Sequence, residues 1–142
     1  MKLTSSLKIV SLSIGLLLLA AVSATAAPGP TVLVNPVTGT CSPDVVVITQ
    51  KHGKDVTITF EIDPAAGDNW SWSADPEPIV VGGAGSVFSD GHHPGGNGKG
   101  KVKLKNRNLP ADVGTYKYTA NLIQAGSSTP VSIDPSIQNK LD

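Results

Sequence analysis

The chain has 142 residues, with 11 Lys+Arg against 11 Asp+Glu and three His, so its formal charge at pH 7 is zero. That balance gives no global attraction to nucleic acid or to an anionic membrane. Fifteen glycines and 11 prolines, without a long helical periodicity, point instead to an all-β domain with many turns.

In chain order, the first stretch reads as an address. Lys2 and Lys8 make a positive region, Ile9 to Ala21 is mostly apolar, and Ala24-Thr25-Ala26 is a small-residue cleavage pattern. The expectation is a secretory signal peptide over residues 1–26, with export to the periplasm or the medium. The apolar run is too short for the roughly 20 residues of a spanning helix, and Pro28-Gly29-Pro30 follows at once. No integral membrane span is therefore expected after cleavage. Residues 27–142 then form one domain, large enough for a core, and loss of Lys2 and Lys8 leaves a charge of about −2. Cys41 is the only cysteine, so no intramolecular disulfide can form. It reads as a buried small hydrophobe, with an intermolecular bridge as the alternative.

Thr31–Asn35 is a short first strand, ended by Pro36. Val45–Thr49 is a continuous apolar strand, which suggests burial on both faces. The polar turn Lys51–Lys54 should reverse the chain into Asp55–Ile62, its expected hairpin partner. There Val56, Ile58, Phe60 and Ile62 share one face, and Thr57, Thr59 and Glu61 the other. A one-residue slip would bury Glu61, so the Phe60 face is the core face. Asn69–Ser73 is extended, with Trp70 and Trp72 on one side. The prolines make Asp75–Pro78 stiff and extended. Ile79–Val81 and Ser86–Phe88 are short strands, and Asp90–Gly100 is a glycine-rich loop. Gly100–Lys105 is a strand with alternating lysines. Gly114–Ile123 alternates strictly, with Tyr116, Tyr118, Ala120 and Leu122 on one side, and reads as a central strand. Val131–Asp134 and Pro135–Ile137 finish the domain, and Gln138–Asp142 is a polar tail. The expected fold class is an all-β antiparallel sandwich of about seven or eight strands, immunoglobulin-like in its general pattern.

The pattern Gly114-x-Tyr116-x-Tyr118, after short apolar strands and a secretory leader, resembles the cupredoxin-like sandwich. In copper-binding members the strand runs on to a ligand cysteine, then a histidine and often a methionine. Ala120 stands at the cysteine position, residues 123–128 contain no histidine, and the only methionine is Met1. A blue-copper centre needs a thiolate and two imidazoles, so the resemblance implies the architecture without the copper or the electron transfer. Asp75-Pro-Glu-Pro78, with the later Asp134-Pro135 before Ile137 and Asn139, resembles the DP-EP family of small bacterial secreted proteins, a likeness that implies no known activity.

Asp90-Gly-His92-His93 is the best metal candidate, since imidazoles beside a carboxylate suit a divalent zinc, nickel or copper ion. His52 would supply a third nitrogen if its turn met that loop. Adjacent histidines on an extended chain point apart, so solvated loop histidines are the plain alternative. Lys99, Lys101, Lys103 and Lys105, continued by Arg107, place positive charge on one side of a strand. They would dock an acidic polysaccharide or another anion; the plain alternative is protection of an edge strand against aggregation. Trp70 and Trp72 would form a platform for a sugar ring, or anchor the core. Glu61, Asp63, Asp68, Asp75 and Glu77 cluster in sequence, and would hold calcium or simply be solvated. No nucleophile elbow and no phosphate-binding glycine motif is present, so an enzyme is not expected. The reading is an exported, non-catalytic module that binds a protein or glycan partner, with a metal-binding protein built on His92 and His93 as the alternative.

Overall fold

The period-two patterns become strands in the computed structural model, which describes residues 29–142; the leader expected at residues 1–26 lies outside the described residues. The strands are β1 (Thr31–Asn35), β2 (Thr40–Ser42), β3 (Val45–Thr49), β4 (Val56–Ile62), β5 (Trp70–Trp72), β6 (Ile79–Val81), β7 (Phe88–Asp90), β8 (Val102–Asn106), β9 (Gly114–Gln124), β10 (Val131–Ile133) and β11 (Ser136–Lys140). The helical segments among the described residues are three 3-10 turns of three residues each.

One sheet has the order β2-β1-β4-β8-β7. The other is built on the long β9. Ala120 pairs with Ile79 of β6 and with Ile133 of β10, so these two strands flank it on opposite sides. β5 continues the β6 side, while β11 continues the β10 side and carries β3 beyond it. The sheets are mixed rather than purely antiparallel, because β1 runs parallel to β4 and β3 parallel to β11. The strand count exceeds seven or eight for a related reason. Loops interrupt the extended chain, so short pieces such as β5 and β6 take successive places along one neighbour.

Two local expectations are corrected. Val45–Thr49 does not form a hairpin with Val56–Ile62, because the Gln50–His52 turn carries the chain from one sheet to the other. Nor is β3 buried on both faces: Val46 and Ile48 are fully buried, whereas Val45 and Val47 are exposed. The polar tail Gln138–Asp142 is also a strand as far as Lys140, since β11 runs on past Ile137 and turns Asn139 inward as well.

The core lies between the sheets. Val32, Val34, Ile58, Phe60, Val102 and Leu104 come from one side, and Val46, Ile48, Tyr118, Ala120, Leu122 and Ile137 from the other. Phe60 meets Tyr118 across the gap edge to face, with ring centroids 5.2 Å apart, a geometry worth about 1 kcal/mol beyond the buried area. Ala120, where the cupredoxin pattern places a ligand cysteine, is fully buried in this apolar layer.

At one end the layers are joined by buried amides. Asn106 Nδ2 donates to Asn139 Oδ1 at 2.6 Å and Asn139 Nδ2 returns a bond to Asn106 Oδ1 at 3.2 Å, linking β8 to β11. Asn106 Oδ1 also accepts from the Asn108 backbone N–H, and Asn108 Nδ2 donates to the carbonyls of Thr49 and Gly53. Beside them Arg107 Nε donates to Asp112 Oδ2 at 3.0 Å. Buried polar groups are tolerated when each finds its partner, and these do.

Candidate functional site

The lysine row occupies the outer face of the five-stranded sheet. Alternation within β8 turns Val102 and Leu104 into the core and leaves Lys103 and Lys105 in solvent, with Lys101 just ahead of the strand. Register places Lys103 beside Thr59 and, beyond it, Thr31; Lys105 lies beside Thr57 and Ser89. Same-face neighbours along a strand are spaced by roughly 7 Å, so these side chains make a flat lattice of ammonium and hydroxyl groups. Lys101 is neutralised by Glu61 at 2.8 Å. Lys103 and Lys105 have no carboxylate partner among the described residues.

Position in the sheet bears on what these lysines are for. Lysines guard a sheet when they stand on an unpaired edge. β8 is not an edge, since β4 pairs with one side of it and β7 with the other from Leu104 to Asn106. The Gly91 N–H covers the Lys103 carbonyl at 2.8 Å. The edges of this sheet are β2 and β7, and neither carries a lysine.

The tryptophans, two residues apart, differ in their surroundings. Trp72 is 1% exposed and its indole Nε1 donates to the Gly100 carbonyl at 2.8 Å. Trp70 is 8% exposed, and its indole N–H has no acceptor among the described residues. Neither offers an open ring face, so the flat two-tryptophan platform expected for a sugar is replaced by two core anchors. Trp70 nevertheless borders a cavity of about 210 Å³, with Ile62 and Pro64 as further apolar walls and Asp63, Asp68 and Lys99 as polar ones. Lys99 Nζ donates to the Asp68 carbonyl, spanning the cavity rim. Asp63 is committed to the fold: Oδ1 caps the Pro64–Ala66 turn through the Ala65 N–H, and Oδ2 accepts from Asn35 Nδ2.

The histidines do not gather. His52 accepts the Thr49 backbone N–H on Nδ1 at 3.1 Å, at the end of the sandwich where Asn108 binds Gly53. His93 lies at the other end of β8, where Gly98 accepts from the Trp72 N–H. There His93 Nδ1 accepts from the Gly95 N–H at 3.1 Å, and a Cβ on Gly98 would stand only 2.8 Å from Nε2. Gly98 also has a φ of +69°, so the site needs glycine on both counts. His92 turns instead to Glu77, Nδ1 to Oε1 being 3.4 Å, with both side chains largely in water. Asp90 borders a separate crevice of about 100 Å³ among Ile79, Phe88 and Leu104. Among the described residues no three His, Cys, Asp or Glu side chains converge on a point that could hold a metal ion. His52 is thus removed from His93 by the length of β8, and Asp90 sits opposite Leu104, midway along that strand.

The acidic residues scatter likewise, with Glu61 on Lys101, Asp63 in a cap and Glu77 near His92. The segment Ser73–Pro78 is bent rather than extended and bulges out between β5 and β6. Buried Asn121 pins both of its ends: its N–H bonds the Pro78 carbonyl, its carbonyl the Ser73 N–H, and its Nδ2 the Glu77 carbonyl. Asn121 was not singled out from sequence, because an asparagine on the polar face of an alternating strand carries no local mark of that duty. Cys41 is buried beside Tyr118, and burial pushes its thiol up to about 11. The Tyr118 hydroxyl, also raised by burial, makes no hydrogen bond of ordinary geometry among the described residues; a thiol is a weak partner at best. No family model and no curated protein matches this chain.

Proposed function

We propose that the chain is an exported, non-catalytic binding module that docks an acidic glycan on the outer face of its five-stranded sheet. The observation that supports this is the placement of Lys103 and Lys105 inside the sheet, paired on both sides and without carboxylate partners. Edge protection does not account for charges there, and the hydroxyls of Thr31, Thr57, Thr59 and Ser89 give the face hydrogen-bonding capacity without bulk. A flat polar lattice of this kind suits an extended polyanion better than a compact protein knob, which needs buried aromatic anchors. The likeness of Asp75–Pro78 to the DP-EP secreted proteins belongs to the same proposal and is carried by the Asp75-Pro-Glu-Pro78 motif itself.

The test is retention of the purified protein on immobilised polygalacturonate against a neutral glucan. The protein should be held by the acidic polymer, released by salt as screening sets in, and weakened roughly two- to fivefold per lysine in Lys103→Ala and Lys105→Ala. Equal retention on both polymers, or retention indifferent to both substitutions, would reject the reading.

A further inference from the structure

We infer that β3 is the seam of a homodimer, formed when two copies of the chain pair their β3 edges antiparallel across a twofold axis. β3 ends the second sheet, pairing with β11 on one side and with no strand among the described residues on the other. The other strands that pair on one side only, β2, β5, β6, β7 and β10, have three residues each, and short edges resist pairing with another chain. β3 has five, Val45-Val-Val-Ile-Thr49, all of them β-branched. That composition strongly favours a sheet, and it lacks the charges and prolines that guard an edge.

The register with β11 decides which backbone groups are free. The Ser136 N–H reaches the Asp44 carbonyl at 3.3 Å, so the even-numbered residues of β3 face β11, and Val45 and Val47 turn their N–H and C=O groups to the open side. None of these four groups bonds to a loop or a side chain among the described residues. Thr49 differs, because its N–H goes to His52 Nδ1 and its carbonyl accepts from Asn108 Nδ2. A twofold axis through Val46 fits both facts. It sets Val45 of each copy against Val47 of the other, so the free groups close four hydrogen bonds. It also sets Pro43, which has no N–H, against the occupied Thr49. On the outer face Val45 and Val47, 37% and 43% exposed, meet as two cross-strand valine pairs. Charge favours a second copy as the occupant. Antiparallel pairing brings the Asp44 end of one edge to the Lys51 end of the other, and no charged residue lies between them.

A seam of five residues a side falls well short of the roughly 20–30 of a standard interface. The dimer is therefore weak, with a Kd of roughly 10 µM to 1 mM. A twofold axis between antiparallel strands stands perpendicular to the sheet, so the two five-stranded sheets lie on one side and their lysine faces look the same way. A polymer long enough to touch both faces is held twice, whereas a short oligomer leaves the equilibrium unchanged. This consequence, unlike the seam, rests on the function proposed above.

Sedimentation equilibrium of the purified protein from about 10 µM to 1 mM, with amide hydrogen exchange followed by NMR, tests the seam. The average mass should climb from one chain towards two and stop there. The Val45 and Val47 N–H groups should become protected as the concentration rises. Val45→Pro removes an N–H that points away from β11, a position where an edge strand accepts proline. It deletes two of the four hydrogen bonds and should weaken association about tenfold or more. Val47→Lys guards the edge with charge and should do the same, its unchanged melting temperature reporting an intact sandwich. A monomer at every concentration, which would hand the edge to another protein's strand, would overturn the inference. So would assembly that runs past two chains, or a dimer indifferent to both substitutions. Lys103→Ala/Lys105→Ala should dimerise like the wild type. A dimer that is not retained on polygalacturonate would therefore remove the glycan reading and leave the seam, and retention of a protein that stays monomeric would remove the seam alone.

Discussion

The two ends of the sandwich are built from different kinds of residue and solve opposite problems. Where β8 ends, Asn106, Asn108 and Asn139 are buried and spend their polar atoms on one another and on the backbone of Thr49 and Gly53. Where β8 begins, glycines replace side chains at residues 95, 96, 98 and 100, and a cavity opens between Trp70 and Lys99. The first end ties the layers together and has no capacity left for a ligand. The second has capacity left over. Local stability and ligand binding commonly divide a fold in this way.

The largest expected effect falls at the tied end. Asn106→Ala orphans the Asn139 amide and the Asn108 N–H at once, and should cost on the order of 3 kcal/mol in urea unfolding. Trp70→Phe, at the open end, should cost about 1–2 kcal/mol, since it shortens a buried ring but removes no hydrogen bond. Similar losses in the two variants would erase the distinction between the ends. Next comes Cys41, whose thiol is raised to about 11 by burial. Alkylation of the native protein at pH 8 should be slower by more than roughly tenfold than after unfolding, and non-reducing electrophoresis should show no disulfide-linked dimer. Rapid native labelling would mean that β2 opens.

Asp112 provides the pH dependence of the tied end. The Arg107 guanidinium holds its carboxyl below the ordinary value, aided by the Leu109 N–H. A lowered folded value means that the stabilisation is complete above the unfolded pKa of about 3.9 and is lost as pH falls through the folded value below it. The melting temperatures of wild type and Asp112→Asn should therefore differ most near pH 7 and converge as the pH drops below about 4. A gap independent of pH would show that the pair's charge does not matter. The smallest effect on stability belongs to the sheet face: Lys103→Ala and Lys105→Ala should each change the unfolding free energy by less than about 0.5 kcal/mol.

Much of the sheet architecture was legible because alternation is a local property. The inward sets of β4, β8 and β9 follow directly from the period-two order of Val56 to Phe60, Val102 to Leu104 and Tyr118 to Leu122. What was not legible depends on distant partners. Val45–Thr49 looks like the first arm of a hairpin until β11, some 90 residues later, pairs with it in parallel. Gln138–Lys140 looks like a tail because its inward residue, Asn139, is polar, and only Asn106 across the core explains that choice. The lysine row was visible as a row, but its meaning turned on whether β8 had a neighbour on each side, which no local pattern states. Trp70 and Trp72 look alike in sequence. Their difference is one carbonyl, that of Gly100.

The most direct test of the account is an amide-resolved NMR titration of the purified protein with a short oligogalacturonate. The largest shifts should fall on Thr57, Thr59 and Lys101 to Lys105, while Asn106, Asn108 and Asn139 stay still. Shifts centred on β3 and β11, or none at all at saturating oligomer, would contradict the assignment of the five-stranded face as the binding surface.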